Sequence, residues 1–356
     1  MTETPARKTA ARARKTPADR KMINLALQGG GAHGAFTWGV LDRLLEDGRI
    51  GIEAISGTSA GAMNAVVLAD GYMKGGADGA REALRRFWHA ISEASHASPF
   101  KRTPIDMFMG NWSLDTSPGF MFFDLLHRLA SPYELNPLNI NPLREVLEEQ
   151  VDFEAVRGCT AIRLFVSATN VETGRVRVFD CPNMTVDSVL ASACIPLIFQ
   201  AVEIDGVPYW DGGYMGNPVL FPFFDCCSSS DIMIVQINPI ERKGVPKSAR
   251  EILNRINEIT FNSSLLREFR AINFVTRLID QGVLSEDDYK RVLIHRVHAD
   301  PHLKPLGASS KLNAEWDFLM HLFEIGRESA AKWLDENFDR LGVESTVDIR
   351  KLFQDR

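Results

Sequence analysis

Along this chain, short continuous apolar runs alternate with stretches in which apolar residues recur at helical spacing. Ile23 to Leu27 is such a run, stopping at Gln28 and a glycine cluster; Phe36, Val40, Leu41, Leu44 and Leu45 follow at helical intervals, with Gly48 as a stop. That predicts strand, tight turn, helix. Ile50 to Ser56 predicts a second strand, Gly57 to Gly61 a second small-residue turn, and Ala62 to Tyr72 a second helix. Two such units in succession predict an α/β fold, a parallel sheet with helices on both faces.

The middle of the chain breaks this rhythm. Residues 99–142 mix Pro, Gly and Asn with large apolar side chains, among them Met107, Phe108, Met109, Trp112, Phe120, Met121, Phe122 and Phe123. They are expected to form an irregular, lid-like insertion, or else a satellite core under a long loop. Beyond it, Thr160 to Thr169 and Arg175 to Asp180 predict strands joined by a Glu-Thr-Gly turn. Val186 to Cys194 predicts a helix stopped by Pro196, within Ser192-Ala193-Cys194-Ile195-Pro196. Gln200 to Ile204 and Val207 to Trp210 predict a hairpin over Asp205-Gly206, and Ile232 to Ile237 a buried strand. Residues 246–356 are expected to be mainly helical, with a strand near Leu293 to Val297 and a last helix from Ala314 to Asn337. Residues 22–356 are expected to form one domain.

Composition adds constraints. The net charge of -6 is unevenly spread: residues 1–21 hold seven Lys/Arg against two Asp/Glu, leaving +5 there and -11 on the rest. The acidic body argues against a nucleic-acid partner, and the basic tail reads as disordered, with weak attraction to anionic lipid as its functional alternative. No apolar stretch suits a secretory signal or a membrane span, so the expected location is the cytosol, with peripheral contact at a membrane, lipid or polyester-granule surface left open. Cys159, Cys181, Cys194, Cys226 and Cys227 follow no metal or redox spacing and are expected to be reduced and mostly buried.

Four features carry candidate chemistry. Gly57-Thr58-Ser59-Ala60-Gly61 is a G-x-S-x-G elbow between a predicted strand and a predicted helix, where glycine neighbours let the serine hydroxyl project. Gly29-Gly30-Gly31-Ala32-His33-Gly34 offers bare backbone N–H groups suited to an oxyanion hole. The same letters satisfy the dinucleotide fingerprint G-x-G-x-x-G, with Glu53 near the expected ribose acid, so a nucleotide-binding Rossmann-type protein is a competing reading. Asp211-Gly212-Gly213 ends a predicted strand with a carboxylate able to take a proton from a hydroxyl. The helix stop at residues 192–196 should pack the segment before that aspartate.

In this order these motifs resemble the patatin-like phospholipase family, over about residues 23–238. The resemblance implies a three-layer α/β/α fold with a mostly parallel central sheet, and a serine acyl-ester hydrolase needing no metal or cofactor. Its substrates would be phospholipids, lysophospholipids or neutral lipids. Carried over, it makes Ser59 the nucleophile and Asp211 the general base, with Gly29, Gly30, Gly31, Ala32 and Gly34 forming the oxyanion loop and Gly57 and Gly61 shaping the elbow. His33 departs from the family, which often has arginine there. An intracellular depolymerase of storage polyester with the same dyad is an alternative. A Ser-His-Asp triad would need His295, His298, His302 or His321; the first three also invite a metal reading. His295 and His298, however, fall three apart on a predicted strand and so face opposite ways.

Overall fold

A computed structural model describes residues 20–354, so the basic tail, apart from Arg20 and Lys21, lies outside the described residues. Strand β1 (Lys21–Leu27) leads through the glycine cluster into α1 (Gly34–Asp47). That helix ends at Gly48, whose φ of 71° is the left-handed stop. Next come β2 (Ile50–Gly57) and α2 (Ala60–Ala94). The span α2 is two helices divided at Gly75 and Gly76, whose φ/ψ are non-helical: the first ends just past Tyr72, as expected, and the second folds back so that Gly71 lies against Gly79 and Ala83, burying Ala80, Ala83, Leu84, Phe87 and Trp88.

About half of the stretch expected to be irregular is helical: α3 (Pro104–Phe108), α4 (Pro118–Leu129) and α5 (Pro132–Leu135). Each starts on a proline preceded by Thr103, Ser117 or Ser131, so the prolines that suggested breaks occupy first-turn positions, where no N–H is needed. There follow α6 (Pro142–Gln150), α7 (Phe153–Arg157), β3 (Arg163–Asn170), β4 (Val176–Asp180), α8 (Val186–Ser192), β5 (Val202–Ile204) and β6 (Val207–Asp211). The chain closes with α9 (Pro222–Cys226), β7 (Asp231–Gln236), α10 (Ala249–Asp280), β8 (Leu293–His298), α11 (Asp300–Leu303), α12 (Trp316–Asn337) and α13 (Arg350–Phe353).

The strands form one sheet in the order β5-β6-β3-β2-β1-β7-β8, with β4 also pairing β3. The central pairs are parallel, and the pairs of β3 with β4, β3 with β6 and β5 with β6 are antiparallel. Successive β7 residues divide between two cores: Met233 and Val235 pack with α1, α2 and α12, while Ile232 and Ile234 pack with Phe223 of α9 and Leu265 and Phe269 of α10. This period of two makes the three layers α/β/α. Trp38, Phe36 and Phe87 are fully buried on the first face, each contributing about 1.5–3 kcal/mol. No helix among the described residues is long and apolar enough to cross a membrane.

Candidate functional site

Strand register brings the site together. Strand β4 pairs with β3 over Phe165 to Thr169 and occupies one edge of it. On the other edge, β2 pairs as far as Gly57 opposite Val166 and then stops. Two residues further along β3, Ala168 pairs with Asp211 of β6. Strand β6 therefore takes the length of edge that β2 leaves vacant, and Asp211 lands just beyond the end of β2, where the turn carries Ser59.

Ser59 has φ 53° and ψ −121°, a positive-φ conformation costing a side-chain-bearing residue about 1–3 kcal/mol. The surroundings enforce it. Ser59 N–H donates to Ser192 Oγ at 2.9 Å, and Thr58 Oγ1 donates to the Gly216 carbonyl at 2.7 Å. A Cβ at Gly61 would overlap the Leu27 carbonyl, so the elbow can press against β1 only with glycine there. Ser59 is also the N-cap of α2, whose amino-terminal dipole favours negative charge.

Asp211 is 3% exposed. Burial pushes its carboxyl up to about 7, opposed by the Gly213 N–H bond at 2.7 Å, the Ser59 hydroxyl and the charge of Lys311. The Asp211 N–H donates to the Cys194 carbonyl at 2.8 Å, so the helix stop after α8 does hold this segment. Ser192 and Cys194 thus grip nucleophile and carboxylate from one short stretch.

The glycine loop is clamped at its first residue. Gly29 N–H donates to Asn217 Oδ1, and Asn238 Nδ2 donates to the Gly29 carbonyl, both at 2.7 Å. The Gly34 N–H turns back onto the carbonyls of Gly31 and Ala32. Two of the expected donors are thereby occupied. Among the described residues the N–H groups of Gly30, Gly31 and Ala32 find no acceptor. His33 is buried, with Nε2 2.8 Å from Ser310 Oγ. Burial, and secondarily Lys311, lowers its pKa to about 3, so the position where the family often has arginine is neutral here.

The competing readings find no geometry. Glu53, within β2, accepts the N–H groups of Ser228 and Ser229 at 2.6 and 2.8 Å just before the start of β7, away from the glycine loop that follows β1. An open cleft of about 730 Å³ at that end is lined by Glu53, Asp231 and Arg291 and lacks both Ser59 and Asp211. His295 pairs with Asp231 at 2.8 Å, His298 with Asp300 at 3.1 Å, and His321 stacks on Trp112. No described hydrogen bond joins these histidines or His302 to the Ser59–Asp211 pair, and no group of three metal-ligating side chains occurs among the described residues. Four of the five cysteines are buried thiols and Cys226 is exposed.

Ser192 was legible only as the start of the helix stop at residues 192–196, with no contact to the serine turn expected, and Asn217, Asn238 and Lys311 were not singled out from sequence. Asn217 had a signal, an Asn-Pro turn four residues past Gly213. Lys311 had none.

A family model described as patatin-like phospholipase matches residues 25–224, more than half of the chain. A cGAMP-activated phospholipase of Escherichia coli is 29% identical over 216 residues, covering 54% of this chain. The chain spans about half the length of that curated relative, 52%. Among solved structures, VipD from Legionella pneumophila aligns over 87% of this chain and 69% of its own at 16% identity, with a TM-score of 0.35. ExoU, a type III effector of Pseudomonas aeruginosa, aligns over 89% and 53% at 13% identity, with a TM-score of 0.33.

Proposed function

The chain belongs to the patatin-like phospholipase family, and from that premise we propose that it hydrolyses acyl esters of lipids with Ser59 as nucleophile and Asp211 as general base. The observation that carries this reading is the meeting of a positive-φ serine at a strand-to-helix turn with a buried carboxylate whose pKa is about 7. A base poised near the working pH combines a useful ionised fraction with real proton affinity.

In the proposed reaction Asp211 accepts the Ser59 proton as Oγ attacks the ester carbonyl. The oxyanion is held by the N–H groups of Gly30 and Gly31, with Ala32 adjacent, each well-placed donor contributing on the order of 3 kcal/mol. Collapse expels the alcohol, which takes the proton from Asp211. Water, activated by the same carboxylate, then releases the acid and restores Ser59.

Apolar side chains near α3 to α5 support work at a lipid surface: Phe108 is 91% exposed, Leu138 80%, Leu129 75% and Phe122 63%. Phe120 and Phe123 instead pack on Phe100, so this segment has an inner and an outer face.

Labelling with a fluorophosphonate tests the assignment. The adduct should map to Ser59, and Ser59→Ala should lose both labelling and esterase turnover while melting at nearly the wild-type temperature. Labelling at another serine would overturn it.

A further inference from the structure

We propose that Lys311 is a specificity-determining residue, the receptor within this site for the phosphate charge of an acyl-ester substrate. The proposal rests on the hydrolase reading above and adds to it a residue far outside the matched segment.

Lys311 enters from a 3-10 turn, Ser309–Leu312, between α11 and α12. Its carbonyl packs so closely on Gly31 that a Cβ there would overlap it. Its Nζ donates to Asn238 Oδ1 at 2.8 Å, and the same amide holds the Gly29 carbonyl. The ammonium also lies 5.6 Å from the ring centre of Phe261, which packs over Gly213 beside the carboxylate. The side chain thus bridges the glycine loop and the Asp211 turn.

This cation is poorly compensated. An ammonium has three donors, and one is used among the described residues. Burial lowers the Lys311 ammonium to about 8 against the opposing charges of Glu258 and Asp211, and Glu258 is already engaged by Arg242 at 2.5 Å and Arg255 at 3.1 Å. Neutral His33 adds no charge to the loop. Half-burying an ammonium without a contacting carboxylate is costly unless an anion completes it. Lysine serves as a point-charge phosphate binder, and the Gly30 and Gly31 amides already suit the oxyanion. In a glycerophospholipid the phosphate lies a few bonds from the scissile ester, so its receptor belongs beside the nucleophile rather than upon it.

The test compares monomeric short-chain phosphatidylglycerol with the diacylglycerol bearing the same acyl chains. The wild-type enzyme should prefer the phosphatidylglycerol. In Lys311→Met the ratio of the two kcat/KM values should fall by about tenfold or more, the loss lying mainly in KM, and Lys311→Arg should recover most of it. Equal losses on both esters would make Lys311 a structural or transition-state group and overturn the proposal, as would an unchanged ratio or a wild-type preference for the neutral ester. Inorganic phosphate should not inhibit diacylglycerol hydrolysis; inhibition that disappears in Lys311→Met would mark a free-anion site instead. Fluorophosphonate labelling separates the failures: no adduct at Ser59 sinks the hydrolase reading, whereas labelled enzyme with an unchanged ratio sinks the Lys311 proposal alone.

Discussion

Asp211 closes β6 at one end of the sheet and Asp231 opens β7 at the other; both are buried, and they keep opposite company. Asp231 accepts from the Gly342 N–H at 2.9 Å and pairs with His295 Nε2 at 2.8 Å, while His295 Nδ1 lies 3.2 Å from Thr346 Oγ1. By residue type this is the Asp-His half of a triad, yet it ties β7, β8 and the carboxy-terminal loop together at the end far from Ser59. Asp211 has no cation in contact, and its neighbours are a hydroxyl and one N–H group. A carboxylate that is fully partnered holds a fold; one that must accept a proton has to be left short of partners.

The sharpest break in this comparison is Asp211→Asn, which keeps the shape and removes the proposed proton acceptor. Turnover should fall by on the order of a hundredfold or more in steady-state assays, with substrate binding retained. The same variant should be more stable than wild type at pH 8. Burial raises the folded carboxyl from 3.8 to about 7, so between those values the folded chain keeps a proton that the unfolded chain releases, and wild-type stability declines as pH rises through that window. Melting temperatures measured against pH should show the advantage vanishing below about pH 4.

At the other end, His295→Ala should leave Asp231 buried without its ring partner and cost about 3–5 kcal/mol in denaturant unfolding. The folded fraction should keep most of its kcat. A loss of turnover matching that of Ser59→Ala, with the fold intact, would move the base to the histidine.

A quieter effect is the pH profile. The kcat/KM should rise as Asp211 ionises, with a midpoint near 7, and Asp211→Asn should flatten that limb. The smallest expected change is in Phe108→Ser and Phe122→Ser, which should weaken activity on aggregated lipid a few-fold more than on a soluble ester. Equal losses on both would assign these side chains to packing.

Much of the fold was legible because local signals agree with it. The run at residues 23–27, the stop at Gly48 and the Asp205-Gly206 turn, with φ of 53° and 77°, each act within a few residues. The proline-started helices were missed because the same prolines that break a helix inside favour it at its first turn. Ser59 and Asp211 were legible as motifs, each beside glycines. Their meeting was implied only by the family resemblance, since no local signal shows how β2 and β6 divide one edge of β3. Lys311 lay beyond reach for a similar reason: its partners Asn238 and Gly31 are brought to it only by the completed sheet.

That shared edge also sets an order of events at the ribosome. The elbow leaves the exit tunnel roughly 150 residues before the carboxylate, a delay on the order of ten seconds at roughly 5–20 residues per second. Until β6 docks, the newborn chain presents Ser59 without its proposed base, so on that proposal ester attack has to wait for the docking. Appearance of esterase activity on stalled chains of increasing length would therefore mark the moment the sheet closes.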